Sequence, residues 1–338
     1  MGILQAGFEI KACVEIDKYC CETLRENILR LDGSTKIFQC DIRQLEPKSL
    51  HVGKIDLLFG GSPCQAFSLA GKKLSLEDER GELIFEFIRF AHELKPCAIM
   101  IEQVKGFLTA KDLNGKSGGV FENFVEQLKN LGYVVKWQII SATEYGIAQR
   151  RERVFIVALI SDRFNFPLPT HTEQGDLFCL PYKTVGEAIE NLLPNLENHI
   201  DITPRRDRER IHGVPEGKYL SSQIHLPKEQ ICGLSKKDTT KFLRLARHKP
   251  ANTLRGGEIF FHPTEDRYLT PREYMRIHGY PDDYVLCGPI RGRSGTFKNL
   301  DQYRQISNSV PPPLAKAVAE KIREALLCQK SMNSSAIP

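Results

Sequence analysis

Three short apolar runs within the first sixty residues, each closing on an acidic residue or on paired glycines, constrain this chain more than any other feature. Residues 10–16 carry Glu15 and run into Asp17, residues 36–42 carry Asp41, and residues 55–59 stop at Gly60-Gly61. The first run is followed by an amphipathic pattern through Leu24, Ile28 and Leu31, which makes a strand-then-helix step. Strands that end this way, alternating with helices, predict an α/β fold with a doubly wound, mostly parallel, Rossmann-like sheet. Ligands of such a sheet bind at its carboxyl edge.

The pattern continues downstream. Leu83, Phe87, Phe90, Ala91 and Leu94 have helical spacing, and the apolar run 96–101 ends in Glu102-Gln103-Val104. A helix is predicted over 121–131 and a strand over 133–140, and Gln149-Arg150-Arg151-Glu152-Arg153 leads into the strand 154–158. Beyond Asp162 prolines recur and periodicity fades until about residue 254, so 1–162 reads as the first domain and 163–258 as a smaller irregular one. Residues 259–328 return to the first domain and 329–338 read as a disordered tail. Thr270 as N-cap, Pro271 at the first helical position and Glu273 three residues after the cap specify a helix start, with Gly279 at its end.

Composition narrows the class. No run approaches the length of a membrane span and the N-terminus lacks a signal peptide's basic and apolar regions, so a cytoplasmic protein is expected. Ten scattered cysteines without a Cys-x-x-Cys pair indicate neither a metal site nor a disulfide framework. The net charge of +5 is concentrated: residues 201–250 hold twelve Lys or Arg against six Asp or Glu, which suits a polyanionic partner or a solvated surface. A lone cysteine such as Cys64 is more often a small buried hydrophobe than a nucleophile, and an acid at a strand end such as Glu15 is often a helix cap. Neither residue decides the function alone.

Taken together, Pro63-Cys64-Gln65, Glu102-Gln103-Val104, Gln149-x-Arg151-x-Arg153, Leu269-Thr270-Pro271-Arg272-Glu273 and residues 305–313 resemble the ordered motifs of the cytosine-C5 DNA methyltransferases. The resemblance implies S-adenosylmethionine as methyl donor, double-stranded DNA as substrate, and target recognition by the block where the basic excess lies. It assigns Cys64 as the nucleophile for carbon 6 of cytosine, Glu102 to ring nitrogen 3 and the exocyclic amine, and Arg151 and Arg153 to the base carbonyl and neighbouring acidic groups. On the same pattern Glu15 takes the ribose hydroxyls, Asp41 the adenine amine, Ile16 and Ile42 flank the adenine, and Pro63 and Asn308 also line the cofactor. A monomer without a metal is expected, in a restriction-modification setting.

Three departures from the family pattern stand out. Residues 2–9 resemble the helix that normally follows the family's first strand and Phe-x-Gly-x-Gly cofactor loop, so that strand and loop are expected to be missing. Gln103 stands where asparagine is usual, and Ser307 where glycine is common. The rival readings are a DNA-binding remnant without catalysis and a methyltransferase of structured RNA.

Overall fold

The computed structural model describes residues 1–31, 33–61, 83–222, 242–292 and 299–335; Pro63 and Cys64 lie outside the described residues. β1 (Ala12–Glu15) pairs in parallel with β2 (Lys36–Gln39). A second ladder has the order β3-β4-β6-β5, made of β3 (Leu57–Gly60), β4 (Ala98–Gln103), β5 (Val134–Ser141) and β6 (Glu152–Leu159). β3 and β4 are parallel, whereas β6 is antiparallel to both β4 and β5.

β3, β4 and β5 therefore run the same way, in keeping with the mostly parallel sheet expected, and β6 is the reversed strand that makes the ladder mixed. β5 and β6 are joined by the helical turn Ala142–Tyr145 and a loop, a connection without the helical crossover that parallel neighbours need. β6 accordingly runs back beside β5 and slots between it and β4.

Both faces of the four-stranded ladder are covered, which explains why β4 is apolar without alternation. Ala98 and Met100 face one side and Ile99 and Ile101 the other, as the two-residue period of a strand requires. α1 (Gly2–Gln5) and α2 (Lys18–Leu24) bracket β1 in the chain, while α3 (Glu86–Leu94) and α4 (Gly119–Asn130) cover the Ile99 face. Val120, Phe124 and Leu128 recur every four residues along α4, and all three are buried there, each contributing about 1.5–3 kcal/mol.

In the C-terminal half, α5 (Val185–Ile189), α6 (Arg205–Ile211), α7 (Pro271–Ile277) and α8 (Gln302–Asn308) precede the long α9 (Pro312–Ser335). Leu314, Val318, Ile322 and Leu326 of α9 cover the Met100 face together with Ile3 of α1. α9 continues to Ser335, into the stretch expected to be a disordered tail. Val185, Leu243, Leu245 and Leu254 share one buried cluster with Leu269, Tyr274 and Tyr303, so packing is continuous across residue 258. The expected helix start is present in full: Thr270 accepts from Glu273 N, the Glu273 carboxylate accepts from Thr270 N, and Pro271 follows the cap. Among the described residues no helix is long and apolar enough to cross a membrane.

Candidate active site

Adjacent antiparallel strands bring three of the expected residues together. Glu102 lies near the end of β4, opposite Phe155 of β6, while Arg151 and Arg153 are two residues apart and so share one side of the entry to β6. Arg153 Nε is 3.0 Å from Glu102 Oε1 and Arg151 Nη2 is 3.8 Å from it. Burial pushes the Glu102 carboxyl above the usual carboxylate range, with Arg151 and then Arg153 pulling against it.

The two arginines have different surroundings. Arg151, with a side chain only 2% exposed, donates through Nη1 to Ser307 O at 2.9 Å and through Nη2 to Ser309 O at 3.0 Å. Arg153, at 14%, donates through Nη1 to Glu152 O and faces a cleft of about 530 Å³. Lys105, Arg150, Glu152, Glu173 and Tyr182 also line this cleft. None of those five was given a role from the sequence, because single polar residues carry no periodic signal.

Glu102 sits beside the strand that leads to Cys64. A Cβ at Gly61 would meet Glu102 O at 3.1 Å, so only glycine allows this close approach without displacement. Only Ser62 and Pro63 separate Gly61 from Cys64 in the sequence. Gln103 is buried, and its Oε1 accepts from Val104 N at 2.8 Å. Ser307 turns its hydroxyl back onto Arg304 O at 3.3 Å, leaving its carbonyl to Arg151.

The expected cofactor residues cluster at the carboxyl edge of β1 and β2. Glu15 ends β1, accepts from Asp17 N at 2.8 Å, and has its pKa raised by burial. Ile16 beside it is 64% exposed, an apolar surface that a stacked purine would cover. Asp41, just past β2, caps the turn Ile42–Gln44 and is gripped by Arg43, whose hydrogen bonds hold its carboxyl below the usual range. The C-terminal half reaches the same edge, since Leu300 N donates to Asp17 Oδ2 at 2.6 Å. Asn308 ends α8 with an exposed side chain. Two carboxylates flanking exposed apolar surface fit a nucleoside with a diol and an amine to donate.

A model of the C-5 cytosine-specific DNA methylase family matches residues 1–324. The chain belongs to this family. As a C5 cytosine DNA methyltransferase it takes its methyl group from S-adenosylmethionine. It is 32% identical to the type II methyltransferase M.NgoFVII of Neisseria gonorrhoeae over 95% of this chain and 82% of that protein. It is 33% identical to M.NgoMIV of the same organism, over 96% of this chain and 94% of that one. Among solved structures, the methyltransferase resembles a chain described as a prophage-encoded DNA modification methyltransferase of E. coli, with a TM-score of 0.68 and 20% identity over 96% and 95% of the two chains. Spodoptera frugiperda DNMT2 gives 0.61 and 18% identity over 95% of each. At such identities these two structures speak for the fold alone.

Proposed function

We propose that this methyltransferase modifies carbon 5 of a cytosine rotated out of a specific double-stranded DNA site, through a covalent bond between Cys64 and carbon 6, as the modification partner of a type II restriction system. The observation that carries the reading is the buried Glu102 with Arg153 Nε 3.0 Å away, beside the Gly61 backbone that feeds Cys64.

Carbon 5 of cytosine is a weak nucleophile. Addition of the Cys64 thiolate to carbon 6 turns the ring into an enamine, and negative charge builds toward nitrogen 3. Burial raises the Glu102 carboxyl above its usual range, which favours its giving a hydrogen bond or a proton to that nitrogen, and this is the part assigned to Glu102. Arg153, the more exposed arginine of the pair, takes the base carbonyl, while Arg151 fixes the carboxylate from behind. S-adenosylmethionine supplies the methyl group when bound, held by Glu15 at the ribose, Asp41 at the adenine amine, Ile16 and Ile42 on the ring faces, and Pro63 and Asn308 at its other end. Loss of the carbon 5 proton then expels the Cys64 thiolate and restores the aromatic ring.

Rotating the base out costs a few kcal/mol, which contacts along the DNA must offset. The basic block at 201–250 supports a duplex partner, and the type II names of the relatives support the restriction setting. Substituting Cys64→Ser should abolish transfer of labelled methyl to duplex DNA while S-adenosylmethionine still binds by calorimetry. Turnover by the Ser variant would overturn the adduct, and methylation of transfer RNA in preference to duplex would overturn the substrate.

A further inference from the structure

One buried histidine outside the expected site has its hydrogen-bonding atoms fully determined by their partners. Gln149 Oε1 accepts from Leu254 N at 3.0 Å, which orients the amide and leaves Nε2 facing His278 Nδ1 at 2.8 Å. An amide nitrogen only donates, so Nδ1 must be the bare acceptor and the ring proton must sit on Nε2. Nε2 lies 3.1 Å from Ser309 O, the same carbonyl that Arg151 Nη2 reaches at 3.0 Å. Gln149, His278 and Arg151 are all buried, while Ser309 itself is half-buried.

Any buried imidazole needs partners for both nitrogens, and what is particular here is that one of those partners also holds Arg151. Here the imidazole closes a chain from Gln149 to the Ser309 carbonyl, so Arg151 is anchored to a backbone held from the opposite side. We propose that His278 is a positioning residue for methyl transfer: its Nε2–H and Arg151 share the Ser309 carbonyl, and this clamp sets where Arg151 stands relative to Glu102. The proposal rests on the reading of Glu102 as the group that meets the cytosine ring. Leu254 and Ser309 contribute through backbone atoms only, so the chain of bonds depends on the side chains of Gln149, His278 and Arg151.

The test compares single-turnover methylation of unmethylated genomic DNA by the intact protein and by His278→Leu, His278→Gln and Arg151→Met, with S-adenosylmethionine binding measured alongside. A misplacement of about 1 Å at a site can cost up to about a hundredfold in rate, so His278→Leu should be slowed by about tenfold to a hundredfold with cofactor binding unchanged. His278→Gln, whose Nε2 still reaches Ser309 O, should recover to within about threefold of the parent rate. Equal slowing of the Leu and Gln variants, or no slowing of Leu beside a slow Arg151→Met, overturns the clamp. A parent-like Arg151→Met overturns the site reading beneath it. Imidazole nitrogen-15 NMR of the unaltered protein tests the geometry without any variant: Nε2–H is expected, and an Nδ1–H or doubly protonated His278 near neutral pH contradicts it.

Discussion

At the scale of single residues, the two arginines of the Gln149-x-Arg151-x-Arg153 motif should separate in their effects. Arg153 pairs with Glu102 at 3.0 Å and borders the cleft, whereas Arg151 satisfies two carbonyls in the interior. Arg153→Ala should slow methyl transfer by about a hundredfold and destabilise the fold less than Arg151→Ala does, since it breaks one ion pair with Glu102 but leaves no interior backbone carbonyl without its donor. Arg151→Ala should slow transfer too, and also destabilise the fold by about 2–4 kcal/mol because the Ser307 and Ser309 carbonyls and the Glu102 carboxylate lose a buried partner. Thermal unfolding beside single-turnover rates distinguishes them, and equal destabilisation by both variants would contradict the division of labour. The sequence already put both arginines at the entry to one strand. It could not reveal that one of them faces inward to a backbone more than 150 residues away, because that contact is set by how α8 docks.

At the scale of elements, α7 was legible almost to the residue, since an N-cap, a proline and a capping acid are local instructions. Its far end was legible too, since Gly279 with positive φ follows the C-cap His278, but the partners of that cap residue were not. His278, one residue past α7, is buried between Gln149 and Ser309, and only tertiary packing brings those segments together. Burial, with Arg151 nearby, holds the His278 pKa well below its ordinary value. In the unfolded chain the ring takes up a proton below pH about 6.5, while in the folded chain it stays neutral. Its contribution to stability is therefore complete above that pH and is lost as pH falls, by about 1.4 kcal/mol per pH unit. Denaturant titrations between about pH 7.5 and 5.5 should show this slope, and His278→Gln should show a slope shallower by one proton. An unchanged slope in the variant would contradict a buried neutral imidazole. The direction of β6 was likewise beyond local reading: an apolar run of this kind fits a parallel or an antiparallel neighbour, and the short connection from β5 decides between them.

At the scale of the whole molecule, the chain brings distant segments to the strand ends of two ladders. Glu15 and Asp41 stand at the ends of β1 and β2, Glu102 and Arg153 at the junction of β4 and β6, and Arg151 joins that junction to Ser307 and Ser309 beyond α8. The order of motifs was enough to place the chain among the C-5 cytosine-specific DNA methylases, and the family match over residues 1–324 bears this out. Which bases are read was not legible, because recognition loops follow no simple code. The account turns on a covalent bond from Cys64, and trapping it is the most direct measurement. Random-sequence duplexes carrying 5-fluorocytosine would be incubated with the protein and S-adenosylmethionine, since fluorine at carbon 5 cannot leave as the proton does. Mass spectrometry of the digested complex should then find methylated DNA attached at Cys64. An attachment at any other cysteine, or methylation of ordinary cytosine with no trapped complex, would contradict the account.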